Sequence, residues 1–128
     1  MEISLKCSLG EVFDKLTILE IKKKEIIDSE KLVNVNYELD YIQSIIEEIN
    51  VSDEVKELVD KLREVNNKLW NIEDEIRIKE EEKDFNDDFI NLARSVYITN
   101  DERSILKKKI NIVLGSNLIE EKSYKHIK

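Results

Sequence analysis

The chain has 128 residues, a formal net charge of −8, no proline and two glycines. This length corresponds to a single domain, residues 1–128, that can bury about two-thirds of its unfolded surface. The negative charge argues against nucleic-acid binding, because a nucleic-acid-binding protein needs a basic surface to displace counterions. No apolar run approaches the roughly 20 residues of a membrane span, and a single cysteine cannot form an intramolecular disulfide. We therefore expect a cytoplasmic protein without a membrane span.

The scarcity of helix breakers predicts an all-α fold, because proline disrupts helix interiors and glycine costs about 1 kcal/mol there. Apolar residues recur at three- to four-residue spacing in five segments, which indicates five helices, with Asn34 or Asn36 capping the second. Short connections favour an antiparallel bundle around a long third helix. We expect the tail, residues 116–128, to be partly ordered. The five predicted helices cover about 9–28, 35–49, 53–83, 87–97 and 100–114.

Capping signals support several of these helix ends. Ser8 followed by Glu11 has the pattern of a capping box, and Ser52 is placed to cap the third helix. Residues 99–102 have the same capping-box pattern and therefore open the fifth helix, while Gly115 suits a left-handed helix end. Because the third helix is long for a chain of this size, we expect its projecting end to pack in a homodimer, in the manner of a coiled coil.

Carboxylates at regular spacing form a first candidate site. Glu11 and Asp14 lie three residues apart on the first helix, and Glu73 and Asp74 lie on the third. Carboxylate pairs on adjacent helices can hold Mg²⁺ with a substrate phosphate completing its coordination, as in helical nucleotide pyrophosphohydrolases. These four residues are candidate catalytic groups, and Glu11, Asp14 and Glu73 are candidate Mg²⁺ ligands. The alternative is that Glu11 serves only as a cap and the others form a solvated charged face.

Aromatic and basic residues form a second candidate site. Trp70 and Arg77 fall on one face of the third helix, so they could line a cleft that stacks a ring and holds an anion. Arg94 and Arg103 flank the predicted helix N-terminus at Asn100, where free N–H groups attract anions. The alternative is ordinary surface and helix-end charge. The candidate ligand-binding residues are Trp70, Arg77, Arg94, Tyr97, Asn100, Arg103 and Lys122.

Four segments resemble a family of small bacterial and phage proteins whose function is uncharacterised. They run in order between about Ser8 and Tyr124 and read GEVFDKLTILEIK, NNKLWNIEDEIR, LARSVYITND and EEKSY. The resemblance implies membership of this family, whose members are sometimes encoded near cell-surface glycan genes, and it implies no catalytic residue. Because the segments overlap the polar candidates, we expect those candidates to share one site.

Two functions remain open from the sequence. In the first, the protein is a ligand-binding or enzymatic helical protein whose pocket takes an anionic small molecule, such as a nucleotide or a sugar phosphate. In the second, it is a non-enzymatic adaptor or oligomerising protein that binds partners through its helical surface. The first function requires the carboxylates and arginines to meet in one concave pocket, whereas the second leaves them on separate solvated faces.

Overall fold

The computed structural model describes residues 1–125, which form four α-helices and no strand. In chain order these are α1 (Leu9–Glu25), α2 (Ser29–Ile46), α3 (Asp53–Glu81) and α4 (Asp87–Leu114). The all-α prediction is confirmed, whereas the prediction of five helices is wrong, since four are present in the described part of the chain. The last three residues of the predicted tail lie outside that part. No helix within residues 1–125 is long and apolar enough to cross a membrane.

The cap between the first two helices differs from the predicted one. Asp28 is the N-cap of α2, and its carboxylate accepts hydrogen bonds from the backbone N–H groups of Glu30 and Lys31 at 2.9 and 3.0 Å. Two N–H groups that lack a partner within the helix are satisfied in this way, so α2 begins earlier than predicted. The predicted caps, Asn34 and Asn36, lie inside α2 instead.

The predicted fourth and fifth helices are one continuous helix, α4. Thr99, expected to begin a cap for a helix at Asn100, is fully buried inside α4, and its hydroxyl has no hydrogen-bond partner within the described residues. The segment contains neither proline nor glycine, so nothing interrupts the helix while it packs along α3. Asn100 is therefore not at a helix N-terminus, which removes the stated reason for an anion site there.

Three of the predicted helix ends, at Ser8, Ser52 and Gly115, are confirmed. The hydroxyl of Ser8 accepts a hydrogen bond from the backbone N–H of Glu11 at 3.2 Å, and that of Ser52 accepts one from Val55 at 3.3 Å. Gly115 closes α4 in the left-handed conformation, with φ 67°. Each of these caps involves residues within one helical turn, which is why a local sequence pattern could indicate it.

The central helix is α1 rather than the predicted third helix, because α1 contacts each of the other three. α2 packs against one side of α1, where buried apolar side chains form a cluster. A second apolar cluster joins the other side of α1 to α3 and α4 through Phe13. The first cluster contains Val12, Leu19, Val35, Leu39 and Ile42, and the second contains Phe13, Val55, Val59, Leu62 and Ile110.

α3 and α4 run antiparallel, side by side. Near one end, Val55 of α3 packs in the same cluster as Ile110 of α4. Near the other end, Ile78 of α3 lies beside Leu92 of α4. The end of α3 that was expected to project is therefore paired with α4, which removes the stated reason for a homodimer through that end. The homodimer itself stays a prediction.

Candidate functional site

The face of α1 that meets α3 and α4 carries a buried carboxylate. Asp14 is 0% exposed, and it accepts hydrogen bonds from Asn66 of α3 and Arg103 of α4. Asn66 Nδ2 and Arg103 Nε each lie 2.9 Å from Asp14 Oδ1. Arg103 Nη2 also donates to the second carboxylate oxygen, Oδ2. The guanidinium therefore holds the carboxylate through two hydrogen bonds, a geometry that fixes both side chains.

Two more side chains complete this cluster, which we call the polar junction: Asp14, Thr17, Asn66, Arg103 and Lys107. Asn66 Nδ2 donates to Thr17 Oγ1 at 2.8 Å, and Thr17 Oγ1 donates to the backbone carbonyl of Asp14 at 2.9 Å. Lys107 Nζ lies 3.7 Å from Asp14 Oδ2. The buried carboxylate thus takes its polar partners from α3 and α4, while Thr17 of α1 accepts a hydrogen bond from one of them, Asn66.

Positive neighbours keep Asp14 ionised. Burial by itself raises the pKa of the Asp14 carboxyl, but hydrogen bonds from Arg103 and Asn66, with the charges of Arg103 and Lys107, lower it more. The net effect holds the pKa of Asp14 below its usual range. The hydrogen bond to Asp14 in turn raises the pKa of Arg103. At neutral pH the junction therefore holds a paired carboxylate, which cannot act as a general acid.

Lys107 links the polar junction to Glu11. Its Nζ lies 2.6 Å from Glu11 Oε2 and 3.7 Å from Glu120 Oε2, and its side chain is only 15% exposed. Burial lowers the pKa of Lys107, but the hydrogen bond to Glu11 and the charges of Asp14, Glu11 and Glu120 raise it above its ordinary value. The Glu11 carboxylate is thus engaged by Lys107, whereas a full capping box would direct it to the backbone of Ser8.

α1 and α4 approach each other so closely at Gly10 that no side chain fits there. A Cβ atom at this position would collide with the backbone carbonyl oxygen of Lys107. The N–H of Gly10 donates to Asn111 Oδ1 at 2.6 Å, and the N–H of Leu9 donates to Ser116 Oγ at 3.3 Å. The end of α4 therefore satisfies free donors of the first turn of α1, which sets the register between the two helices.

An open groove of about 470 Å³ lies beside the polar junction, between α1, α3 and α4. We call it the Trp70 groove. Its volume is in the range of about 300–1,000 Å³ that small-molecule sites occupy. The groove brings together many of the predicted site residues, which supply its charged and aromatic lining. It is lined by Ile18, Ile21, Asn66, Leu69, Trp70, Glu73, Asp74, Arg77, Asn100 and Arg103.

The other predicted ligand-binding residues lie outside the Trp70 groove. Tyr97 and Lys122 line a separate cleft together with Tyr124 of the segment that follows α4. Asn100 borders both this cleft and the groove. Arg94 is exposed on α4 and lines neither of them. The structure thus groups part of the predicted set and separates the rest.

The carboxylates predicted to bind Mg²⁺ are engaged by basic side chains. Glu11 and Asp14 bond to side chains of α4, and Glu73 Oε2 lies 3.3 Å from Arg77 Nε. Among residues 1–125, no three His, Cys, Asp or Glu side chains are placed to hold one metal ion. The predicted combination of Glu11, Asp14 and Glu73 therefore does not form a metal-binding group in this arrangement.

Thr17 and Asn111 belong to the site but are not among the predicted residues. Thr17 is 0% exposed and Asn111 is 2% exposed, and both lie on inward faces of their helices. Buried polar groups are almost always hydrogen-bonded. A polar residue in phase with the apolar stripe of a helix is therefore the signal that could have identified both.

The fold is all-α, and its candidate site consists of a buried ionic cluster beside an open groove. A family model described as "Family of unknown function (DUF6165)" matches residues 2–127. The chain belongs to this family, so the resemblance to a family of uncharacterised proteins is confirmed at that level. Neither the curated proteins nor the solved structures include a significant match to the chain.

Proposed function

We propose that this protein binds a small anionic ligand that contains a ring, such as a nucleotide or a sugar phosphate, in the Trp70 groove. One observation carries the proposal: an aromatic side chain, two carboxylates and two arginines line the same groove. These groups are the ones that recognise a ring, hydroxyl groups and an anion, respectively. The proposal concerns binding, and it assigns no reaction.

The surroundings of Trp70 support the binding of a ring. Trp70 is partly exposed and shares the groove with Ile18, Ile21 and Leu69. A flat ring placed on the indole would cover apolar surface that now faces water. Stacking of a base on an aromatic side chain contributes about 1–3 kcal/mol. This apolar part of the groove therefore favours a ligand with a ring over an inorganic ion.

The two arginines support the binding of an anion. The side chain of Arg77 is 79% exposed and pairs with Glu73 at the surface, so a ligand can replace this partner at little cost. Arg103 uses Nε and Nη2 to hold Asp14, while its Nη1 lies 3.5 Å from Asn100 Oδ1 at the groove. Because Asp14 fixes this guanidinium, its remaining N–H donors are already ordered before a ligand arrives.

The spacing of residues on α3 favours an extended ligand. Trp70 and Arg77 are seven residues apart, which places them on one face and about 10 Å apart along the helix axis. Glu73 lies between them with its side chain 46% exposed, and its carboxylate can accept hydrogen bonds from hydroxyl groups. A ring, a sugar and a phosphate joined in that order match these three positions.

The single tryptophan allows the groove to be observed directly, since Trp70 is the only source of tryptophan fluorescence in the chain. We expect at least one compound from a set of nucleoside phosphates, nucleotide sugars and sugar phosphates to change its emission. Arg77→Gln should weaken binding of that compound by about tenfold or more, because hydrogen bonds to charged groups contribute about 1.5–3 kcal/mol. The matched control is Arg94→Gln, which should leave binding unchanged.

Two results would contradict the proposal. The first is an unchanged emission and no heat of binding in calorimetry with every compound, which would favour the alternative of an adaptor without a small-molecule ligand. The second is equal weakening by Arg77→Gln and Arg94→Gln. That result would indicate general attraction of the anion to positive charge rather than binding in the groove.

A further inference from the structure

The outward face of α4 carries a row of exposed isoleucines. Ile98, Ile105 and Ile112 are 42%, 48% and 63% exposed, respectively. They repeat every seven residues, a spacing that keeps side chains near one line along a helix. Thr99 and Ile110, which are fully buried, mark the opposite side of α4. The row therefore faces away from the Trp70 groove, and its three side chains are exposed, although Ile112 borders a cleft with Leu58 of α3.

Charged residues flank this row in an order that is symmetric about Ile105. Asp101 and Glu102 come four and three residues before Ile105, and Lys108 and Lys109 come three and four residues after it. By helical geometry, Asp101 and Lys108 lie along one side of the row, and Glu102 and Lys109 lie along the other. Each side therefore carries one negative and one positive charge, at about equal distances from Ile105.

We propose that a second copy of this chain packs antiparallel across this face, with a two-fold axis at Ile105. In that arrangement Ile98 packs against the partner's Ile112, and the two copies of Ile105 meet at the axis. Asp101 then faces the partner's Lys108, and Glu102 faces the partner's Lys109. A two-fold interface of this kind presents the same surface from both copies.

The charge pattern favours a second copy over an unrelated protein, because one face supplies both halves of every ion pair. It also selects the antiparallel direction. In a parallel pair, acidic residues would face acidic residues and lysines would face lysines, which is unfavourable. Lys108 also contacts Glu121 of its own chain at 3.0 Å. This bridge is exposed and contributes little, so it does not prevent the new pairing.

The contact is narrow, so the association will be weak. The row from Ile98 to Ile112 is about 21 Å long, and interfaces of less than about 1,200 Å² are typical of transient complexes. We expect the mass in sedimentation equilibrium to rise from 15.1 kDa towards twice that value as the concentration increases from micromolar to millimolar. A mass that stays monomeric over the whole range would overturn the proposal.

Two charge variants test the pairing itself. One variant combines Asp101→Lys with Glu102→Lys, and the other combines Lys108→Glu with Lys109→Glu. Each carries a single sign of charge on the face, so each should be monomeric where the wild type dimerises. Mixed in equal amounts they should form a heterodimer, because every facing pair is then of opposite sign. Self-association of either variant as strong as that of the wild type would overturn the proposal.

Cysteine cross-linking tests the register with smaller changes, which covers the case in which a charge variant fails to fold. In a Cys7→Ser background, Ile105→Cys should form a disulfide with its own copy at the two-fold axis. Ile98→Cys should cross-link to Ile112→Cys in a mixture but not to itself. Cross-linking of Ile98→Cys to itself would indicate a parallel pair and overturn the proposal, as would the absence of any disulfide through Ile105→Cys.

Discussion

α1 packs against α2 through apolar side chains, whereas its opposite face meets α3 and α4 through the polar junction as well as through apolar contacts. On the α2 side, Val12 and Leu19 pack with Leu39 and its neighbours. On the other side, Asp14 and Thr17 are fully buried and hydrogen-bonded to α3 and α4. Residues only a few positions apart on α1 are thus buried by apolar packing on one side and by hydrogen bonds and ion pairs on the other.

The two sides of α1 contribute differently to the fold. Apolar burial is non-directional and tolerates changes of shape at modest cost. A buried ion pair adds little net stability compared with apolar residues of similar size, but removing one of its partners leaves an unpaired charge. We therefore expect the α2 side to contribute stability and the junction to define how α1, α3 and α4 fit together.

The largest expected effect is that of Asp14→Asn. This change keeps the shape of the side chain but removes the charge that Arg103 and Lys107 share, so we expect the free energy of unfolding to fall by about 4 kcal/mol. Urea denaturation at neutral pH measures it. Asp74→Asn, at an exposed position, is the control and should change stability by less than about 0.5 kcal/mol. A similar small effect at both positions would contradict this view of the junction.

A second prediction concerns how the stability of Asp14→Asn depends on pH. The pKa of Asp14 is lowered in the folded state. The contribution of Asp14 to the free energy of unfolding is therefore complete above the unfolded-state pKa of about 4, and it is lost as the pH falls through the lower folded-state pKa. Between about pH 5 and pH 3, stability should therefore fall more steeply in the wild type than in Asp14→Asn. If the stability of the two proteins fell equally with pH over this range, Asp14 would not be the group responsible for the loss of stability in acid.

Leu39→Ala tests the apolar side of α1. Leu39 is 4% exposed in the cluster with α2, and truncation of a buried leucine costs about 3 kcal/mol. Val33→Ala, at a position that is 68% exposed on the same helix, should cost far less. The loss of stability caused by Leu39→Ala should be the same at pH 3 and pH 7, unlike the loss caused by Asp14→Asn. It should also add to that of Asp14→Asn, and strong coupling would mean that the two sides are not independent.

A smaller loss of stability is expected for Gly10→Ala, which disturbs the register between α1 and α4. The added methyl group would collide with the carbonyl of Lys107, and strain of this kind costs about 2 kcal/mol. The comparison variant is Gly115→Ala, where space is open but φ is 67°, so that only backbone strain of about 1 kcal/mol is added. Thermal unfolding of both variants separates the two causes, and an unaffected Gly10→Ala would contradict the close approach.

The smallest effect, and the only stabilising one, is expected for Thr99→Val. The buried Thr99 hydroxyl lacks a hydrogen-bond partner within residues 1–125, so replacing it with a methyl group of similar shape should raise stability by about 1 kcal/mol. If Thr99 instead capped a helix, the same change would lower stability by about 1 kcal/mol. The sign of the change in urea denaturation therefore decides between one helix and two in this part of the chain.

Local signals predicted the helices well but predicted their number incorrectly. Ser52 and Gly115 were assigned correctly because each helix end depends on residues within one turn. Residues 99–102 have an equally good capping pattern, yet they lie inside α4. Whether a capping pattern ends a helix depends on what packs beside it, and α3 lies beside α4 both near Leu92 and near Ile110.

The candidate site was predicted only in part, for the same reason. Trp70 and Arg77 meet in the groove because they are seven residues apart on one helix, which is a local relation. The contact of Asp14 with Arg103 joins residues 89 positions apart, and no spacing in the chain indicates it. Arg103 does border the groove, but it lies inside α4 and not beside the predicted helix N-terminus.

The amino-acid sequence alone specifies a helical chain, because it has no proline and only two glycines and its apolar positions repeat with the helical period. It also determined most helix ends, through caps that form within a single turn. Three further features follow from the packing of the helices: α1 is central, α4 is continuous, and Asp14 is buried between two cations. These features depend on contacts between distant segments, and such contacts form only when the helices pack against one another.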